Sequence, residues 1–216
     1  MNKKNNITEL VFIIDKSGSM SGLENDTIGG FNSMLEKHRK EQGSCNISTV
    51  FFADRSEVVH NRENIAKVEP LTRNNYVPGG CTALLDALGD AINHTIKIQK
   101  KLADDQKASN VVFVIITDGQ ENASKHFSVQ EIKRQISFEQ EKYGWEFIFL
   151  GANIDAVNTA ASYGIKSNRA ANFVCDSKGI DLNFSGIANF LGCVRKKQAI
   201  PDSWASEIEE DYQQRK

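Results

Sequence analysis

Proline is scarce in this chain, with 3 in 216 residues, and cysteine amounts to 4, none of them in a CxxC pair. Cys45, Cys81, Cys175 and Cys193 are spread too thinly for the disulfide framework of a small secreted domain, so buried free thiols in a reducing compartment are expected. Long hydrophobic runs are missing near the start. Leu10 to Ile14 is the longest there and Asp15 ends it, which is far too short for a signal-peptide core or a membrane span. Neither sign of charge dominates: Lys and Arg number 26 against 28 Asp and Glu, a formal charge of −2. The chain therefore has no global positive field to attract nucleic acid phosphates or an anionic membrane. His38, His60 and His94 share no metal-like spacing and are expected at the surface. The expectation is a cytoplasmic, monomeric globular protein without nucleic acid or membrane partners.

The residues present support one core. A hydrophobic share of 40%, with 15 glycines besides, is ordinary for a globular chain, and 216 residues suit one domain rather than two full lobes. Uninterrupted apolar runs of strand length occur at Leu10–Ile14, Val111–Ile116 and Phe147–Leu150. Such runs mark strands covered on both faces and so central in a parallel sheet. Val50–Ala53 and Val58–Val59 read as strands nearer an edge, and Asn172–Cys175 as a weaker final strand. Only about two residues of turn, Asp54 and Arg55, separate Ala53 from the segment Ser56 to Asn61 that carries the Val58 run, so the two should pair as an antiparallel hairpin at one edge.

Apolar stripes at helical spacing lie between the strands. Ile28, Phe31, Met34 and Leu35 form the first, and Leu84, Leu85, Leu88, Ala91, Ile92 and Ile96 the second. Ser128 and Glu131 have capping-box spacing ahead of a third stripe through Val129, Ile132 and Ile136, and Gly144 suits its end. Ala156–Tyr163 and the stripe from Leu182 to Val194 outline two more helices, the second followed by Arg195, Lys196 and Lys197 as cations complementing its dipole. Alternating strands and helices predict an α/β fold: a three-layer, doubly wound, Rossmann-like sheet, mostly parallel with one antiparallel edge strand. The domain is expected over residues 7–195. A charged helix or tail follows over 196–216, solvated apart from Trp204 as its anchor.

In such a sheet ligands sit beyond the carboxyl ends of the strands. Two central strands end there in aspartate, one as Asp15-Lys16-Ser17-Gly18-Ser19, the other as Thr117-Asp118-Gly119. A third loop, Gly79-Gly80-Cys81-Thr82, opens the second helix over the same edge. Asp15, Ser17, Ser19, Thr82 and Asp118 together supply only oxygen, two carboxylates and three hydroxyls, and hard oxygen donors select Mg²⁺, with Mn²⁺ or Ca²⁺ as substitutes. Thr82 also sits where a helix N-cap would. Lys16 is expected to point to solvent, and Glu121 and His126 to be solvated loop residues.

These motifs resemble the von Willebrand factor A domain with a complete metal-ion-dependent adhesion site. The family's D-x-S-x-S falls on Asp15, Ser17 and Ser19, its loop threonine on Thr82 and its T-D-G aspartate on Asp118, with the likeness running from about Thr8 to Val194. The resemblance implies that Ser17, Ser19 and Thr82 touch the ion and that Asp15 and Asp118 bind it directly or through water. It also implies that a partner protein's Asp or Glu completes the shell, in a binding module and not an enzyme. More narrowly, the chain is similar to the stand-alone bacterial cytosolic members.

Two rival readings stand beside this one. Haloacid dehalogenase-like phosphatases also place Asp and Mg²⁺ after the first strand, but they need a second acid two residues on, where this chain has Ser17. A scaffold with a purely structural, closed metal site is the other.

Overall fold

The computed structural model describes residues 6–216. At its centre lies β1 (Ile7–Asp15), paired in parallel with β2 (Ser44–Phe52) on one side and β4 (Asn110–Thr117) on the other. β5 (Glu146–Gly151) and β6 (Ala170–Asn172) continue the parallel sheet, while β3 (Ser56–Asn64) runs antiparallel along β2. The order is β3-β2-β1-β4-β5-β6. Successive connections leave β1 in opposite directions, so the crevice of a doubly wound sheet opens at the carboxyl ends of β1 and β4.

Strand alternation sorts the core into two layers. Leu10, Phe12 and Ile14 of β1 pack under α1 (Glu24–Arg39) and α5 (Ser177–Arg195), meeting Phe31, Leu35, Ile187 and Leu191. Val11 and Ile13 face the opposite way, toward α2 (Leu84–Lys101), α3 (Val129–Tyr143) and α4 (Ala156–Ser162), with Leu88, Ile132 and Ala160. Because both faces of β1 and β4 are covered, their sequences read as continuous apolar runs. The α3 capping box forms as its spacing predicts, Ser128 and Glu131 each serving the other's amide, and Gly144 ends the helix at φ 68°.

Several surface assignments fail. His38 is 1% exposed and His60 5%. The His38 Nε2 lies 3.1 Å from the Ala188 carbonyl of α5, and the His60 ring stacks on Phe31 while its Nδ1 meets the Thr49 hydroxyl at 3.0 Å. Each ring finds a polar partner for one nitrogen, while the His38 Nδ1 is buried without one. Arg195 is buried too, and its guanidinium donates to the carbonyls of His38, Glu41, Gln42 and Gly43. It closes the end of α1, a helix other than its own, because a guanidinium has enough donors for several orphan carbonyls. Of the four thiols only Cys45 is buried, and Cys81 is exposed. Val129 is 38% exposed, so the α3 stripe begins at Ile132.

The final strand is Ala170–Asn172 and not Asn172–Cys175, since Asp176 already caps α5 through the Gly179 amide at 2.9 Å. Nor is Trp204 the single anchor of the last segment. Trp204, Ala205, Ile208 and Asp211 are all buried where α6 (Ser206–Arg215) lies against α5. Arg215 pairs with both Asp176 and Asp211, and Lys178 with Asp211.

Burial, with the nearby Arg195 charge, pushes the His38 pKa down to about 4. Between pH 6.5 and that value the unfolded chain takes up a proton that the native chain refuses, so stability is full above the unfolded pKa and falls as the pH drops. The expected loss is roughly 2 kcal/mol between pH 7 and pH 5, read from urea unfolding. His38→Gln should remove that slope; a variant as pH-sensitive as its parent would show that His38 is not its source.

Candidate metal centre

Asp15 is the last residue of β1 and is wholly buried. One carboxylate oxygen accepts the Ser17 amide at 2.7 Å and the other the Thr117 hydroxyl of β4, also at 2.7 Å. The Tyr76 hydroxyl donates to the Asp15 carbonyl at 2.5 Å. Asp15 thus folds the following loop back over the strand end. Ser17 and Ser19 then bracket the start of a single 3-10 turn, and their hydroxyls stand 3.1 Å apart.

Two backbone bonds zip this loop to the one carrying Thr82: Gly18 N–H to the Gly80 carbonyl at 3.1 Å, and Gly79 N–H to the Lys16 carbonyl at 2.8 Å. Gly80 adopts φ +83°, where a side chain is strained, and a Cβ there would strike the Asp54 carboxylate. Asp54 in turn accepts the Cys81 amide at 3.0 Å.

The third loop brings Asp118. Its carboxylate accepts the Ser19 hydroxyl at 2.6 Å, and its carbonyl accepts Asn153 Nδ2 at 3.2 Å. The Thr82 hydroxyl faces Gly119, 3.8 Å from where a Cβ would stand. The structure therefore gathers all five residues at one rim. Asp15, Ser17, Thr82 and Asp118 are buried, while Ser19 is exposed and marks the open side.

Charge is out of balance there. Among the described residues no Lys, Arg or His forms a salt bridge with Asp15 or Asp118. Burial raises the Asp15 pKa above the ordinary value, the Asp118 charge adds to the rise, and the bonds from Ser17 and Thr117 offset only part of it. Lys16, expected in solvent, turns away to pair with Glu57 over the Phe51 ring. The Cys175 thiol lies 3.6 Å from Asp118, its pKa pushed up to about 12 by burial and by that carboxylate. It is a neutral thiol and leaves the imbalance standing.

This donor set suits a hard divalent cation. Adjacent ligands of an octahedral Mg²⁺ at about 2.1 Å stand about 3.0 Å apart, close to the Ser17–Ser19 separation. Among the described residues no three His, Cys, Asp or Glu side chains group to hold an ion, so this centre would depend on neutral hydroxyls beside two carboxylates.

Several organising residues escaped sequence reasoning. Glu121, expected in solvent, accepts the amides of Leu85, Ala123 and Ser124 at 2.7–2.9 Å. Asn122 holds Thr82, its side-chain oxygen accepting the Thr82 amide at 2.9 Å and its own amide donating to the Thr82 carbonyl at 3.1 Å. Asp86 accepts three successive amides, Lys125 to Phe127. Partial burial works against its charge, but those donors prevail and its pKa lies below the usual value. Thr82 is not the helix cap: Ala83 occupies that place, without a side-chain bond. The one available signal was an acid two residues after the T-D-G turn and another in the first turn of α2, where carboxylates meet free amides.

Fold and rim together define a doubly wound domain with three loops gathered at the carboxyl ends of β1 and β4. The model of the von Willebrand factor type A domain matches residues 9–181, and the chain belongs to that family. No curated protein matches it. It is similar to solved structures at low identity: proximal thread matrix protein 1 of the mussel byssus (16% identity, TM-score 0.57, covering 88% of this chain and 47% of that one); the PilB minor pilin of Streptococcus sanguinis (14%, 0.55, 89% and 62%); and a von Willebrand factor type A protein from Catenulispora acidiphila (13%, 0.55, 84% and 42%). The mussel protein has also been solved with zinc in its metal-ion-dependent adhesion site motif. This chain spans about half the length of these structures, and the likeness carries the fold alone.

Thr117→Val removes the hydroxyl bound to buried Asp15 with little change of volume. It should destabilise the metal-free protein by about 1.5–3 kcal/mol in urea, the usual cost of a bond to a charged group. An unchanged midpoint would mean that the Thr117 bond contributes nothing.

Proposed function

We propose that this chain is a metal-dependent protein-binding module of a bacterial kind, acting in the cytoplasm as a monomer. Ser17, Ser19 and Thr82 offer hydroxyls to Mg²⁺, with Mn²⁺ or Ca²⁺ as substitutes, and Asp15 and Asp118 bind it directly or through water. The observation that carries this reading is the pair of buried carboxylates without a cationic partner, beside two hydroxyls spaced like neighbouring ligands of an octahedral ion. When bound, the ion supplies a hard positive centre with a position open to a carboxylate. Asp15 also holds the Ser17 amide and the Thr117 hydroxyl, and so keeps the loop in shape. Ser19 lines the exposed side, where an Asp or Glu of a protein partner would approach.

The same contacts weigh against phosphoryl transfer. Both Asp15 oxygens are engaged and the residue is fully buried, unlike a free nucleophile, and Ser17 replaces the acid that such chemistry uses to exchange protons. No described helix is long and apolar enough to cross a membrane.

Calorimetric titration with Mn²⁺ should show one saturable site. Asp15→Asn should weaken it by roughly 10–100-fold, as losses of groups that orient ligands do. A short peptide with a single Glu should tighten Mn²⁺ binding where its Gln counterpart does not. Absence of metal binding refutes the proposal outright; metal binding indifferent to both peptides would make the ion merely structural.

A further inference from the structure

The start of α2 poses a conflict. A helix leaves its first amides without partners, and a threonine at its entrance ordinarily turns its hydroxyl onto them. A hydroxyl spent in that way is badly placed to face an ion. In this chain the amides are served from elsewhere: Leu85 N–H goes to the Glu121 carboxylate at 2.9 Å and Asp86 N–H to the Ser124 hydroxyl at 3.0 Å. Both acceptors belong to the loop that Asp118 begins. From the same loop, Asn122 grips the main chain of Thr82 on both sides, through its side chain at the amide and through its own amide at the carbonyl.

We infer that Asn122 is a positioning residue for metal binding: by bracketing Thr82, while Glu121 and Ser124 cap α2, it keeps the Thr82 hydroxyl free and at a set distance from Asp118. The inference rests on the metal-binding reading above. Asn122 stands four residues beyond Asp118, so the two bonds to Thr82 make the two loops one body where the sequence separates them by 36 residues. Ligands must be held within about 0.5 Å of their working geometry to be effective. A tether of this kind, made to the ligand residue's own peptide, sets that tolerance more directly than packing does. Asn122 is itself exposed, so replacing it leaves the core untouched.

The test is Mn²⁺ affinity by calorimetry in Asn122→Leu, Asn122→Asp, Thr82→Ala and the double variant Thr82→Ala with Asn122→Leu, each checked for an unchanged melting temperature. Asn122→Leu, which lacks the acceptor, should weaken binding about tenfold or more, as outer residues that orient ligands do. Asn122→Asp keeps an acceptor and should bind at least as well as the parent. In the Thr82→Ala background Asn122→Leu should cost nothing further, because its effect passes through Thr82. Parent-like affinity in Asn122→Leu, or a full additional loss in the double variant, overturns the inference while leaving the metal site intact. Should Asn122→Leu melt early, failure of Asn122→Asp to bind like the parent overturns it as well. A parent that binds no Mn²⁺ refutes the metal reading itself.

Discussion

Two like charges buried at the ends of neighbouring parallel strands are the constraint around which the rest of this molecule is arranged. β1 and β4 pair directly, so Asp15 and the Asp118 that follows β4 are delivered to one edge by strand spacing alone. Burial without a cation is costly for a carboxylate, and that cost is visible in the raised pKa of Asp15. Amide and hydroxyl donors lower it but do not cancel it. A divalent ion would cancel it, and the neighbouring serine hydroxyls would lie within its reach.

The remaining contacts at the rim serve to keep three loops from drifting apart. Loops are usually the mobile part of a fold, but here each is fastened to the next. The Ser17 loop is zipped to the Gly80 loop by paired backbone bonds, the Thr82 segment to the Asp118 segment through Asn122, and the Asp118 segment to the end of β5 through Asn153. Rigidity of this kind is what the proposed metal site would need, since neutral hydroxyls contribute little unless already in place. Farther down, Arg195 and His38 fasten α5 to α1, and α6 closes over the start of α5 through Arg215 and Asp176.

Much of this was legible in the sequence, because the dominant signals are periodic and local. The buried runs of β1, β4 and β5, the hairpin at β3, the capping box of α3 and the five rim residues lie where pattern and spacing put them. The losses share a physical cause. His38, His60 and Arg195 are buried through partners from 11 to 157 residues away, and no local pattern encodes such a partner. Glu121 looked like a solvated acid because the donor that ties it into the fold, the Leu85 amide, sits at the start of a helix 36 residues earlier, although its other two donors, Ala123 and Ser124, are local. Residues 204–211 looked like a charged tail because their burial falls on only a few side chains between solvated acids. Thr82 was ambiguous for a sound reason: cap and ligand are competing uses of one hydroxyl, and only the placement of Glu121 and Ser124 shows that the first amides of α2 are served without it.

The central claim is spatial, and an anomalous-difference map from a crystal soaked in Mn²⁺ tests it most directly. A single peak should stand within coordination distance of the Ser17, Ser19 and Thr82 hydroxyls, close to Asp118, with a solvent or carboxylate ligand on the Ser19 side. No peak at that rim, or one held by other residues with these hydroxyls turned away, would contradict it.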